Sequence, residues 1–156
     1  MKFLAWKFDE KRIENATRVF EIRIKDNDMK RELGIGRCGL VCALCFKNSE
    51  CMGCNSVSCI GSQWCENTKC SKKREIAHCH ECEEFPCGKG MLVKTRLQAF
   101  SEFARRYGKE ELLDCLERNE SMGIMYHREG FISDYDGFSD IEELIEFIKS
   151  GKKPNV

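Results

Sequence analysis

No apolar run in this sequence approaches the ~20 residues of a membrane span. Met1-Lys2-Phe3-Leu4-Ala5-Trp6-Lys7-Phe8 is too short for a secretory leader and runs at once into Asp9-Glu10-Lys11-Arg12. The expectation is a cytoplasmic protein with no membrane partner. No solenoid-type repeat and no low-complexity tract is visible. No phosphate-cradling glycine loop, nucleophile elbow or dinucleotide fingerprint occurs either. Gly34-Ile35-Gly36 lacks both a third glycine and a βαβ context. An enzyme is therefore not the expectation, and no catalytic residue is assigned.

Net charge is absent as well, with 26 basic and 26 acidic residues. Residues 38–87 carry five basic and six acidic groups, and all-thiolate metal sites would make them more negative still. A nucleic-acid footprint needs clustered Lys and Arg, so nucleic acid is an unfavoured partner and a protein a better one. Lys72-Lys73-Arg74, the basic cluster of that stretch, reads as a solvated face.

What the chain has is cysteine. Eleven of its twelve lie between Cys38 and Cys87: Cys38, Cys42, Cys45, Cys51, Cys54, Cys59, Cys65, Cys70, Cys79, Cys82 and Cys87. Cys42–Cys45, Cys51–Cys54 and Cys79–Cys82 are C-x-x-C pairs, a spacing that turns two thiolates onto one ion. Reduced intracellular thiols at this density favour metal over disulfides. Zinc takes four tetrahedral ligands, so eleven thiols, with His78 and His80 as further donors, suit two or three zinc ions. The pairing stays open. For Cys59 and the two histidines, a spare thiol and solvated imidazoles are equally good readings. Cys115, between Leu112 and Leu116, reads as a small core residue.

Iron–sulfur or thiol-redox chemistry is the alternative, since both metals accept four thiolates. Cys38-x-x-x-Cys42-x-x-Cys45 has the spacing that holds a cluster in radical enzymes, but the barrel they need does not fit around it. Ferredoxin runs end in Cys-Pro, whereas Phe85-Pro86-Cys87 has proline on the other side.

The order Cys38-Gly-x-x-Cys42-x-x-Cys45, Cys51-x-Gly53-Cys54, Cys65-x-x-x-x-Cys70 and Cys79-x-x-Cys82-x-x-Phe85-Pro86-Cys87 resembles an uncharacterised cysteine-rich family of bacteria and archaea. That family is catalogued as a domain of unknown function and presumed to bind zinc. The resemblance covers about residues 38–87 and implies metal binding at the matched cysteines. It implies no catalytic activity. One departure is the short spacer from Phe46 to Glu50, where the family carries a longer stretch.

Around this segment the pattern predicts a small α+β protein. Residues 1–37 form an N-terminal segment with a strand near 3–8, a helix through Ile13, Ala16 and Phe20, and strand-like alternation at 20–24. Residues 38–87 form an irregular metal-stapled module, short of large apolar side chains. Residues 88–156 form a mainly helical body. Val93, Leu97, Phe100, Ala104 and Tyr107 make one helix stripe ending at Gly108. A second helix runs through Leu112, Leu113 and Leu116 to Asn119. A β-hairpin spans 124–133 and turns at Gly130. Ser139 and Glu142, at capping-box spacing, open a last helix with Ile141, Leu144, Ile145 and Ile148 inward. Asp134, Asp136, His127 and Glu129 could form a hydrolytic or hard-metal site, but as turn residues they are better explained.

Overall fold

The computed structural model describes residues 29–45, 48–126 and 132–153. The strands and helix expected at 3–24 lie outside the described residues. Among those described, every regular element is helical. The α-helices are α1 (Glu66–Lys73), α2 (Thr95–Tyr107), α3 (Lys109–Ser121) and α4 (Ile141–Ser150). Single 3₁₀ turns stand at Arg31–Leu33, Cys42–Leu44, Ile60–Gln63, Cys79–Glu81 and Gly90–Val93.

The α+β expectation is thus corrected to a mainly helical protein. Of the expected hairpin, residues 127–131 lie outside the described residues, and its described ends form no strand. Met125 donates its N–H to the Asp134 carboxylate at 2.8 Å, and Tyr126 donates its N–H to Glu120 Oε1 at 2.7 Å. Ser133 Oγ donates to the Met125 carbonyl at 3.3 Å. At these described ends, side chains thus take backbone groups that a strand ladder would use, beside the backbone bond from Asp134 N–H to the Met125 carbonyl at 3.2 Å. Asp136 pairs with Arg96 at 3.2 Å. Both carboxylates of the suspected hard-metal site are therefore bonded, Asp134 within this loop and Asp136 to α2; His127 and Glu129 lie outside the described residues.

The helices follow their stripes. Leu97, Phe100, Phe103 and Ala104 of α2 meet Leu112, Leu113 and Leu116 of α3 and Leu144, Phe147 and Ile148 of α4 in one apolar cluster. Each such fully buried side chain contributes about 1.5–3 kcal/mol. Val93 and Tyr107, the ends of the predicted stripe, are exposed instead. Val93 sits in the 3₁₀ turn before α2, out of α-helical phase. Gly108, with φ +93°, ends α2 as expected. The cap of α4 is Asp140 rather than Ser139, its carboxylate accepting the Glu143 N–H at 2.9 Å. Gly151 closes α4 in the left-handed region. Arg118 and Asn119 of α3 donate to the last carbonyls of α4, at Ile148 and Lys149.

The cysteine segment docks on this body by two specific contacts. Tyr126, fully buried against Phe100, accepts the Val41 N–H on its hydroxyl at 2.8 Å. Ser101 of α2 donates to the Cys38 carbonyl at 3.1 Å. Val41, Ala43, Leu44 and Phe85 then share the core of the helices. No helix among the described residues is long and apolar enough to cross a membrane.

Candidate metal centre

Local turns prepare the thiols. The chain at Cys42–Leu44 and at Cys79–Glu81 makes the same 3₁₀ turn, closed by Cys45 N–H to Cys42 carbonyl at 3.2 Å and Cys82 N–H to Cys79 carbonyl at 3.1 Å. Side chains three apart eclipse in a 3₁₀ turn, so each C-x-x-C pair presents both sulfurs on one side. The Cys51–Cys54 pair turns instead through Gly53, at φ +87°.

The eleven cysteines surround two hollows. Cys38, Cys42, Cys45, Cys51, Cys54, Cys59 and Cys65 line the larger, of about 430 Å³. Cys70, Cys79, Cys82 and Cys87 line the smaller, of about 90 Å³. Helix α1 lines both, with Thr68 on the larger and Cys70 on the smaller. Cys65 is its N-cap and Cys70 lies within it. Five residues at about 100° each put the two sulfurs roughly 140° apart around the axis, so they serve different hollows. Sequence neighbours are divided, and Cys70 joins Cys79, Cys82 and Cys87 from across the chain.

The thiols ring these hollows without closing on a centre. Among the described residues, no group of three His, Cys, Asp or Glu side chains stands in the geometry of a finished metal site. Cys42 has its thiol pushed up to about 12, first by burial and then by Cys54, Cys45, Cys38 and Cys51. Burial likewise lifts Cys38 to about 11 and Cys79 to about 12. Gathering such groups as thiolates requires a cation among them. The donor set fits a thiophilic divalent ion: soft sulfur ligands, two of the three C-x-x-C pairs in 3₁₀ turns, and no displaced thiol.

Several supporting residues carry no motif. Asn67 of α1 is buried, and its amide works against the upward effect of burial on the Cys79 thiol. It also accepts the Met91 N–H at 2.7 Å and donates to the Lys89 carbonyl at 3.1 Å. Arg74 lines the smaller hollow and pairs with Glu84 at 2.6 Å, so this member of the basic cluster stands beside the thiols. Arg37 donates its backbone N–H to Cys54 Sγ at 3.4 Å. Its guanidinium ties α1 to the loops on either side, bonding Asn55, Ser71 and the Ile76 carbonyl. Such outer partners orient ligands. A lone Asn inside a helix and a lone Arg in a loop have no sequence signature.

The histidines fall outside the lining of both hollows. Their rings stack at 5.2 Å, and His78 Nδ1 lies 3.3 Å from the Gly36 carbonyl. Burial lowers the pKa of both. Cys115 is buried in α3, away from either group. Cys59, by contrast, lines the larger hollow.

The raised thiols predict a proton count. Cys38, Cys42 and Cys79 stay protonated at pH 7 without metal, so ligation must expel their protons. Their pKa lies above neutrality, so metal affinity grows as pH rises and falls in acid. Binding at pH 7 is expected to release close to one proton per ligating thiol, read from calorimetric heats in buffers of different ionisation enthalpy. Release below about two protons per ion would mean that thiols are not the ligands. No family model, curated protein or solved structure matches this chain.

Proposed function

We propose that this chain is a zinc-thiolate protein whose cysteine segment folds on metal and serves a structural or interaction role. One observation carries the reading: all eleven clustered cysteines line two hollows, seven and four, and the twelfth is a core residue. A set of spare reactive thiols would leave some outside any such group. Cys70, Cys79, Cys82 and Cys87 match the ligand count of one closed tetrahedral site. The resemblance to a presumed zinc-binding family rests on the same cysteines.

Exposed apolar side chains support a protein partner. Val57 is 98% exposed, Trp64 78% and Ile60 75%, all in the loops around the larger hollow. The outward parts of the segment thus differ from a surface meant only for water.

Elemental analysis of protein purified without oxygen, with an absorption spectrum, tests the reading. Zinc without colour supports it; iron with acid-labile sulfide and a brown chromophore replaces it with the iron–sulfur reading. Serine variants test the ligands. Cys79→Ser is expected to remove one ion per chain, and Cys115→Ser none. Equal metal loss from both variants would sink the assignment.

A further inference from the structure

We infer that the loop from Cys51 to Cys65, together with the outer face of α1, docks an acidic peptide segment that carries bulky apolar side chains. This rests on the interaction role proposed above. No charged residue occurs between Cys51 and Cys65. The stretch nevertheless turns apolar side chains outward: Met52 is 60% exposed, and Val57, Ile60 and Trp64 more so. Linked turns hold the four in one small region. Met52 N–H donates to Ser58 Oγ at 2.8 Å, Cys59 N–H to the Ser56 carbonyl at 3.4 Å, and Trp64 N–H to the Gly61 carbonyl at 3.2 Å. Clustered exposed apolar side chains mark interaction sites, and tryptophan is enriched among the anchors of protein interfaces.

Charge decides the kind of partner. Helix α1 buries Asn67, Thr68 and Ser71, which leaves Lys69, Lys72 and Lys73 exposed. Lys72 and Lys73 follow Lys69 by three and four residues, so the three share a face. Lys69 Nζ lies 6.0 Å from the centre of the Trp64 ring, so that face adjoins the apolar loop. Among the described residues none of the three pairs with a carboxylate, whereas Arg74, next along the chain, is held by Glu84. A cationic ridge beside an apolar patch is complementary to acidic groups beside apolar ones. A narrow segment suits this surface better than a broad one. Glu50 and Glu66, both exposed, flank the loop in the chain, so an anionic bilayer laid over the whole face would meet carboxylates. A second copy would offer acids that are already paired: Arg31 holds Glu110, Asp114 and Glu117 on α3, and Arg106 holds Glu142 on α4.

Selection of displayed random peptides on the whole chain as purified tests this, with Trp64→Ala as the counter-selection and metal content measured on the same sample. Enriched peptides are expected to combine Asp or Glu with bulky apolar residues. A synthetic peptide of the enriched sequence should bind the Trp6→Phe chain and shift the emission of Trp64, then its only tryptophan, to the blue. Trp64→Ala should weaken that binding roughly thirtyfold in calorimetry, as loss of an interface anchor does. Lys72→Glu should weaken it several-fold and flatten its salt dependence. Enrichment of neutral or basic peptides, or none that depends on Trp64, overturns the inference. So does a Trp64 blue shift produced by phosphatidylserine vesicles, or a concentration-dependent dimer that Trp64→Ala abolishes. Any of these in a chain that holds zinc leaves the zinc-thiolate reading standing. Acidic-peptide binding by a chain that holds no metal keeps the inference and ends that reading instead.

Discussion

A strong chelator is expected to melt residues 38–87 while α2, α3 and α4 keep their helical signal. Each structural zinc site contributes on the order of 10 kcal/mol of folding free energy at neutral pH. The segment has little else to hold it. Its fully buried side chains are few, chiefly Val41, Ala43 and Leu44, and one α-helix of eight residues is its longest regular element. Fixing each residue costs about 1–2 kcal/mol of backbone entropy, which so short a helix and so few apolar contacts do not offset. The body differs. Phe100, Phe103, Leu112, Leu116, Leu144, Phe147 and Ile148 are buried together in one apolar cluster. Amide exchange before and after chelation reads the outcome residue by residue. Exchange should rise by orders of magnitude in 38–87 and also at Leu97 and Ser101 of α2, where the segment docks. Unchanged protection in 38–87 once all metal is gone would end the structural-metal reading.

The second large effect is expected from Gly39→Ala, a change of one methyl group next to the first cysteine. Gly39 has φ +87°, and a Cβ there would collide with Ser101 Oγ and stand 2.9 Å from the Leu97 carbonyl. Two costs add: the left-handed backbone penalty of an L-residue and forced overpacking against a helix backbone. The expected loss is roughly 2–5 kcal/mol of stability. Helix α2 cannot retreat, since its far side packs on α3 and α4. The Ser101 bond to the Cys38 carbonyl goes with it, so metal affinity should weaken too. Gly137→Ala is the control: its Cβ would meet nothing within 4 Å, and its change should stay within about 0.5 kcal/mol. Denaturation midpoints of the zinc-loaded proteins decide it, and a Gly39→Ala chain as stable as Gly137→Ala would show that the close approach to α2 is not what holds the segment.

The glycine also explains part of what the sequence motif means. Cys38-Gly39 is legible as a motif from composition alone, but the reason for glycine is the backbone of α2, sixty residues away in the chain. The helices were legible for a simpler reason. Apolar residues at helical spacing through Leu97, Phe100 and Ala104, and through Leu144, Ile145 and Ile148, report one buried face whatever covers it. The described ends of the expected hairpin form no strand: Ile124-Met125-Tyr126 and Ile132-Ser133 alternate as a strand does, while Asp134, Glu120 and Ser133 side chains bond the backbone there. Pattern sees the apolar residues; it does not see which polar group takes each N–H.

By itself the sequence determined the chemistry available: eleven clustered thiols in C-x-x-C pairs, one core cysteine, three helical stripes, and no charge excess to seek nucleic acid. Only the tertiary structure decided how the thiols are shared. Cys65 and Cys70 look like partners in the chain, yet the turn of α1 sends them to opposite sides, and Cys70 meets Cys79, Cys82 and Cys87 instead. Local spacing sets which sulfurs can point together, because a turn is a local object. Which pairs face the same hollow is set by where α1 and the docked loops lie on α2, and that depends on packing between residues far apart in sequence.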